Sequence, residues 1–368
     1  MDSRIQKMAQ VLITYSTEVK PGDRVLIRST SPAGQPLAQA LYDEALRAGG
    51  LPFVYIHMSQ EDPIALGSPA SLEQLSAVNP MLELMYREAE VVIRIEAQEN
   101  MRDRSAYPLD RQSARATAHA ALIAIQMKRQ ADKTLRRCTT QFPTFAYAQS
   151  AGMSLRQYED FLYGACKVNL DDPVSAWKAI YDSHERLIEW LKGKKHLHIK
   201  GEHIDLEMSI EGRVFWNAGG KENFPDGEIF TGPVEDSVNG WVRFSYPAFY
   251  EGNEVKGAKL TFKDGLVVEA TADSNEAFLN ATLDRDPGAR RLGEFAIGTN
   301  RDIRQFTGTI LFDEKIGGTV HMAVGQGYAE TGSVNTSSVH WDMICDMRQG
   351  GEIIVDGELF YKDGEFKV

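Results

Sequence analysis

The sequence predicts two domains of different class: an α/β domain built on a parallel sheet, then a mostly antiparallel β domain of the α+β type. Three observations support this. The chain has 368 residues, more than the roughly 250–300 that one hydrophobic core usually serves. Its first half alternates strand-like with helix-like segments, and its second half consists mainly of short alternating strands. We place the boundary near residue 190, giving domains 1–190 and 191–368.

The first domain is predicted from strands that alternate with helices. RVLIRS at Arg24–Ser29, PFVYIH at Pro52–His57 and VVIRIE at Val91–Glu96 are short apolar runs bounded by turn residues. Between them, Ala38–Ala48 has an amphipathic helical pattern that stops at a glycine pair. Residues 101–112, where charges surround a proline, are expected to form a loop. Strands separated by helices favour a parallel sheet covered on both faces.

The second domain is predicted from apolar and polar residues that alternate with the period of a strand. HLHIK, IDLEMSI and KLTFKDGLVVEA show this pattern after residue 195, and the turn sequence KDG occurs at 263–265 and 362–364. Such turns join antiparallel strands into hairpins. One helix, Asn275–Asp284, interrupts the strands, and a helical stretch at Ser175–Lys192 is expected to connect the domains.

Composition excludes several classes of partner. The 40 Lys and Arg residues against 52 Asp and Glu give a net charge of −12, which argues against a nucleic-acid binder. No window approaches the roughly 18 uninterrupted apolar residues of a membrane span, and the N-terminus lacks a signal-peptide pattern. The three cysteines are an odd number without metal-type spacing. We therefore expect reduced thiols in a cytoplasmic protein.

The segment SVHWDMICD places a histidine and an aspartate in an otherwise apolar run. On a strand, His340 and Asp342 lie two residues apart and share one face. A buried carboxylate beside a buried imidazole is costly unless each is paired or binds a metal. His321 lies in a second apolar run, TVHMAVGQGY. A hydrogen-bonded core histidine would explain His321 alone, but the two histidines together with Asp342 favour metal ligation.

Two glutamates complete the predicted metal site. Glu228 in DGEIFTGP and Glu294 in RRLGEFAIG enter apolar strands, where an unpaired carboxylate would be expensive. Pairing with Arg290 or Arg291 is the alternative explanation for Glu294. Two histidines and three or more carboxylates would hold two divalent ions and a bridging water that attacks a carbonyl.

Tyr328 and Glu314 are weaker candidates for a catalytic role. Tyr328 follows His321 in the same glycine-rich segment, and its phenol could donate to a developing oxyanion; a packed tyrosine beside a turn explains it equally well. Glu314 lies in LFDEKIGG, where a surface turn with the adjoining Lys315 would also account for it.

At these residues the sequence resembles the thermophilic metalloaminopeptidases, the aminopeptidase T, aminopeptidase S and leucyl aminopeptidase-like family. The resemblance spans nearly the whole chain. The segments that carry it are VKPGDRVLIRS, LYDEALRAGG, FPTFAYAQSAGMS, EIFTGP, RRLGE, LFDEK, HMAVGQGY and VHWDM. In better-known members an Asn follows the glutamate that matches Glu314, and the gap to the next histidine is shorter. The role of Glu314 as ligand, base or bystander therefore stays open.

The resemblance implies cytoplasmic homodimers that remove N-terminal residues from peptides with two divalent ions. The implied metal ligands are Glu228, Glu294, His321, His340 and Asp342, and Tyr328 is the implied catalytic tyrosine. We therefore predict a metal-dependent aminopeptidase whose β-rich second domain binds Zn, Co, Mn or Mg, and whose substrates are peptides with a free N-terminus. Glu294 or Glu314 would carry the proton to the leaving amine. Two alternatives are a two-metal hydrolase of non-peptide amides or esters, and a non-catalytic protein with a structural metal.

Overall fold

The computed structural model describes residues 2–368, which form two compact units. The first contains the chain up to Ala176 together with Gly220–Pro225, and the second contains Trp177–Gly219 and Asp226–Val368. The predicted domain boundary at residue 190 stays a prediction, because compactness alone does not show which segments fold independently.

The helices lie mostly in the first half of the chain. Their bounds are α1 Ser3–Val11, α2 Gln35–Arg47, α3 Glu61–Gly67, α4 Leu72–Ser76, α5 Pro80–Glu88, α6 Leu109–Ala131, α7 Phe145–Ser150, α8 Leu155–Ala165, α9 Pro173–Leu191, α10 Glu276–Leu283 and α11 Ile310–Asp313. A π-helical stretch, Leu12–Ser16, continues α1, and short 3₁₀ turns occupy Pro32–Gly34 and Ala329–Thr331. The segment expected to be a loop at 101–112 ends early, because α6 begins at Leu109, directly after Pro108.

The strands of the first half are longer and fewer than those of the second half. The first four are β1 Arg24–Ser29, β2 Leu51–Ile56, β3 Val91–Glu96 and β4 Arg136–Gln141. The remaining strands are β5 His196–Gly201, β6 Ile204–Ser209, β7 Trp216–Ala218, β8 Asn223–Phe224, β9 Glu228–Thr231, β10 Asn239–Arg243, β11 Ala248–Tyr250, β12 Asn253–Val255, β13 Lys259–Lys263, β14 Leu266–Thr271, β15 Leu292–Gly298, β16 Thr319–Gly325, β17 His340–Asp346, β18 Glu352–Val355, β19 Glu358–Lys362 and β20 Glu365–Phe366.

The first unit has the predicted α/β architecture. Its sheet has the order β2-β1-β3-β4-β8, and every neighbouring pair is parallel. Residues of β1 and β3, including Leu26 and Val92, pack in one cluster with Leu82 and Leu122 of α5 and α6. Parallel strands need such helical cover because their faces are apolar. The predicted strands at 24–29, 52–57 and 91–96 are confirmed to within one residue.

The second unit is built from antiparallel sheets, as predicted. An eight-stranded sheet has the order β14-β13-β10-β6-β5-β18-β19-β20, and a five-stranded sheet has the order β17-β16-β15-β9-β7. Both KDG segments form hairpin turns with two successive residues at positive φ, 50° and 77° at Asp264-Gly265 and 50° and 82° at Asp363-Gly364. This conformation is the one that Asp-Gly favours in two-residue turns.

The core of the second unit uses only one face of the five-stranded sheet. Phe295, Met322 and Trp341 on this face are buried in one cluster with Leu197 and Leu206 of the eight-stranded sheet. Because side chains alternate along a strand, the neighbouring residues point to the opposite face. The polar residues predicted to form the site therefore lie on that opposite face.

Candidate metal centre

Four adjacent strands bring the predicted metal ligands together on one face. In the β15–β16–β17 ladder, Ala323 pairs with Glu294 on one side and with Asp342 on the other. His321 lies two residues before Ala323 and shares its face, and His340 lies two residues before Asp342. Across β9, Glu228 pairs with Gly298, which has the same orientation as Glu294. Ladder register therefore aligns all five predicted ligands.

Small residues occupy the positions between these ligands on the same face. Ala296 pairs with His321, Ala323 lies between Glu294 and Asp342, and Gly325 pairs with His340. Ala296 and Ala323 are fully buried. A larger side chain at these positions would fill the space between the imidazole and carboxylate groups. The small residues therefore keep that space open.

The distances between ligand atoms suit a shared cation. His321 Nε2 lies 3.4 Å from Glu228 Oε2 and 3.6 Å from Glu294 Oε1. His340 Nε2 lies 3.5 Å from both Glu294 Oε2 and Asp342 Oδ2. These separations exceed those of ordinary N–H···O hydrogen bonds. Ligand atoms about 2.1 Å from a metal at tetrahedral angles are about 3.4 Å apart.

Both histidines are oriented by backbone carbonyl groups. His321 Nδ1 lies 2.9 Å from the carbonyl oxygen of Glu314, and His340 Nδ1 lies 2.8 Å from that of Gln326. Since a carbonyl oxygen can only accept, each Nδ1 carries a proton, and each Nε2 points towards the carboxylates. Metal-binding histidines are commonly held by such an outer hydrogen bond.

The donor set fits a divalent cation. Glu228 Oε2 and Asp342 Oδ1 are buried without a hydrogen-bond partner, a costly arrangement that coordination would relieve. Burial raises the pKa of Glu228 to about 7 and also raises the pKa of Glu294. Burial lowers the pKa of His321, but the nearby carboxylates outweigh this and raise it to about 10. The cluster thus retains protons that a cation would displace.

The site contains two groups of three ligand atoms, and within each group the atoms all lie within 4.8 Å of one another. One group comprises Glu294, His340 and Asp342, and the other comprises Glu314, His321 and Asp342. Asp342 belongs to both groups. The arrangement contains two adjacent positions where a cation could be held by carboxylate and imidazole.

Glu314 lies at the site. The alternative explanation, a surface turn formed by Glu314 and Lys315, is wrong. The Lys315 side chain is fully buried, and its ammonium contacts the Glu314 carboxylate. The ammonium also lies 3.6 Å from Glu228 Oε1 and 3.9 Å from Asp226 Oδ1. These carboxylates raise the pKa of Lys315 against the opposing effect of burial. Neither Lys315 nor Asp226 was predicted as a site residue from the sequence.

Tyr328 lies at the open side of the centre. Its ring centroid is 5.3 Å from that of His340 and 5.5 Å from that of Phe230, and 40% of the residue is exposed. Desolvation and the negative charge of Glu294 and Asp342 raise the pKa of the phenol. The hydroxyl therefore keeps its proton at neutral pH and can act as a hydrogen-bond donor.

The arginine alternative for Glu294 is wrong. Arg290 forms an ion pair with Asp284 at 2.7 Å. Arg291 donates a hydrogen bond to the backbone carbonyl oxygen of Glu235. Glu294 instead faces both imidazoles, so its charge is available to a cation.

Among residues 2–368, no helix is both long and apolar enough to cross a membrane.

Solved structures share the fold. Wild-type AmpT from Thermus thermophilus matches with a TM-score of 0.86 and 23% identity, over 100% of this chain and 99% of that one. The 2,5-dihydroxypyridine dioxygenase of Pseudomonas putida KT2440 matches with a TM-score of 0.62 and 13% identity, over 100% and 97% of the chains. The α/β and antiparallel arrangement is therefore confirmed. Because one of these proteins is a dioxygenase, the fold alone does not define the reaction.

Sequence comparison is more specific. Aminopeptidase 2 of Geobacillus stearothermophilus is 28% identical, over 99% of this chain and 95% of that protein. Aminopeptidase T of Thermus thermophilus is 30% identical over 57% of each chain, so that alignment spans little more than half of the relative. The profile of the peptidase M29 family, described as thermophilic metalloprotease, matches residues 1–366. The resemblance seen in the sequence is thereby confirmed, and the chain belongs to the M29 family of metalloproteases.

Proposed function

We propose that this chain is a metalloaminopeptidase, which hydrolyses the N-terminal residue from peptides at the strand-borne cluster of carboxylates and histidines. The observation that carries the proposal is the group Glu294, His340 and Asp342, whose ligand atoms lie within 4.8 Å of one another. Membership of a metalloprotease family and relatives named aminopeptidases support it. Both histidines point Nε2 at carboxylates, where a divalent ion would displace the Nε2 proton and bind the neutral imidazole.

The proposed ligands are the five residues expected from the sequence: Glu228, Glu294, His321, His340 and Asp342. A divalent cation held there supplies Lewis acidity, which lowers the pKa of water and polarises the peptide carbonyl group. The surrounding chain excludes bulk water, since Glu228, Glu294 and His321 are each at most 5% exposed. A site of low dielectric strengthens the electrostatic interactions on which the chemistry depends.

Tyr328 and Glu314 are the proposed catalytic residues. The Tyr328 phenol keeps its proton and is partly exposed at the mouth of the site, where it can donate a hydrogen bond to the oxyanion formed from the scissile carbonyl. The Glu314 carboxylate is in contact with the Lys315 ammonium and lies near His321 and Asp342. An ionised carboxylate can accept the proton from water and pass it to the leaving amine. Glu294 is the other candidate for this base, although it faces both imidazoles.

The proposed substrates are peptides with a free N-terminus. Carboxylates outnumber cationic side chains around the site, because Lys315 lies among Asp226, Glu228 and Glu314 while Glu294 and Asp342 add further acids. A positively charged α-amino group is therefore attracted to the centre, whereas an acetylated amino group is not. Homodimerisation and a cytoplasmic location are proposed from family likeness.

The identity and number of the ions are the finer part of the proposal. Histidine and carboxylate ligands suit Zn, Co, Mn or Mg to different degrees. The sequence predicts two ions, and two ligand groups that share Asp342 offer two neighbouring positions. The Lys315 ammonium lies against Glu314 in the second of these groups.

The test combines elemental analysis with assays on matched substrates. Purified protein should contain a divalent metal and should cleave leucine and alanine anilides and free dipeptides, while the N-acetylated forms of these substrates resist cleavage. A chelator should abolish turnover, and Zn²⁺ or Co²⁺ should restore it. Equal cleavage of free and acetylated substrates would favour a hydrolase of non-peptide amides or esters. Metal without any turnover would favour a structural ion in a binding protein.

A further inference from the structure

A fully buried lysine lies at the candidate metal centre. The Lys315 side chain has no exposed surface, and its ammonium has three carboxylates as neighbours: Glu314 in contact, Glu228 at 3.6 Å and Asp226 at 3.9 Å. A buried ammonium is costly unless it is paired. The Lys315 ammonium therefore partly neutralises the three surrounding carboxylates.

Hydrogen bonds hold the backbone of Lys315 on both sides. The amide of Lys315 donates to the carbonyl of Phe312 at 3.0 Å, and its carbonyl accepts from the amide of Asn300 at 3.0 Å. The next residue, Ile316, forms an isolated parallel bridge with Asn300. Both sides of Lys315 are thus held by main-chain hydrogen bonds, and its side chain is enclosed.

We propose that the Lys315 ammonium occupies Glu314 and thereby excludes a metal from the second ligand group, so that this chain binds one divalent ion where two were predicted from its sequence. Glu314 belongs to the second ligand group with His321 and Asp342, and its carboxylate is the one that the ammonium contacts. A metal ion in that group would share Glu314 with a fixed positive charge. Like charges at such short range repel strongly.

The first ligand group has no such competitor. Glu294 and Asp342 lie 3.5 Å from His340 Nε2, and neither has an ion pair with a lysine or arginine within residues 2–368. This first group is therefore a position where a single divalent ion can bind two carboxylates that no lysine or arginine neutralises, together with the imidazole of His340. This inference rests on the proposed metal site but not on the identity of the substrate.

The experiment counts metal ions per chain. Metal-depleted protein is saturated with Zn²⁺, desalted and analysed for zinc, and a parallel sample loaded with Mn²⁺ is examined by electron paramagnetic resonance. The wild type should hold about one ion per chain with the spectrum of an isolated Mn²⁺, since the Lys315 ammonium already pairs with Glu314 of the second group. About two ions, or the spectrum of a coupled pair, would overturn the proposal.

Matched variants assign the result to Lys315. Lys315→Gln removes the ammonium, and its zinc content should rise to about two ions per chain. Lys362→Gln is the control, because Lys362 is a surface residue paired with Glu352, and its zinc content should equal that of the wild type. A folded Lys315→Gln variant that still binds one ion would show that Lys315 does not exclude the second.

A second pair of variants remains informative if Lys315→Gln does not fold. Glu294→Gln should lose the single ion, whereas Glu314→Gln should retain it, because Glu314 serves the ammonium instead of the metal. Loss of the ion in both variants would contradict the proposal. Peptide cleavage is measured separately on the wild type. If the protein binds two ions and cleaves peptides, only the single-ion inference is overturned. If it binds one ion and does not cleave peptides, only the proposed function is overturned.

Discussion

Replacing Tyr328 by phenylalanine tests the proposed role of the phenol with little other change. The substitution keeps the ring, whose centroid lies 5.5 Å from Phe230 and 5.3 Å from His340, and removes only the hydroxyl group. Ring packing and the orientation of His340 should therefore be preserved. A change in turnover can then be assigned to one lost hydrogen-bond donor.

The size of the effect follows from the surroundings of the hydroxyl. Removing one oxyanion donor from a closed site typically lowers kcat by about 10²–10³-fold, or about 2.7–4 kcal/mol. Tyr328 is 40% exposed, so water can partly replace its hydroxyl in the variant. We therefore expect the lower end of this range, a fall in kcat of about 10²-fold. KM should change little, since the donor acts mainly on charge that develops in the transition state.

The assay measures kcat and KM on leucine anilide, with the metal content of each preparation determined in parallel. Unchanged metal content together with the fall in kcat would support the proposed role. A variant with wild-type kcat would refute it. A proportional loss of metal and activity would instead show that Tyr328 acts by maintaining the ligands.

The other predictions concern the space, the ligands and the stability of the second unit. Ala323→Leu should weaken metal binding by at least about 10-fold in a metal titration without removing any ligand, because the added side chain enters the ligand face and overpacks it. His340→Ala should abolish metal binding and peptide cleavage, whereas His196→Ala, an exposed control, should retain both. Burial lowers the pKa of His184 from 6.5 to about 4, and its ring nitrogens lie 2.9 Å from Asn217 Oδ1 and 2.8 Å from a threonine hydroxyl. As the pH falls, the unfolded chain protonates at this histidine before the folded chain does. The contribution of His184 to the free energy of unfolding is therefore complete above pH 6.5 and is lost as the pH falls towards 4. In denaturant unfolding, the wild type should lose about 3 kcal/mol more stability than His184→Gln over that interval, and equal losses would contradict the assignment.

The strand period was sufficient to predict much of the candidate site. His340 and Asp342 were expected on one face because they are two residues apart, and they do share it. Glu228 and Glu294 were expected to be buried because each enters an apolar strand, and both are. These inferences needed only local sequence. The metal-binding roles of the residues remain predictions.

Lys315 could not be predicted in the same way. A lysine beside a glutamate before two glycines is typical of a surface turn, and nothing nearby in the sequence indicates burial. Its environment depends on Asp226 and Glu228, which approach through the pairing of β9 with β15. The one indication of a buried cation was the composition of the predicted site, in which several carboxylates lie close together with few positive charges to balance them.

Two elements of the first unit show the same limitation. The strand β4 has the sequence RRCTTQ, whose charged and polar residues hide its strand character, and its place in the sheet depends on pairing with β3 and β8. The early start of α6 follows from Pro108, which lacks a backbone N–H and can precede a helix as readily as it can occupy a loop. Tertiary pairing and helix capping decided both cases.

Anomalous X-ray diffraction from crystals of the zinc-loaded protein tests the central claim most directly. A strong zinc peak is expected among Glu294, His340 and Asp342, with ligand distances of about 2.0–2.2 Å. A protein that cleaves free peptides but shows no peak among these residues, or shows its metal only elsewhere in the molecule, would contradict the claim.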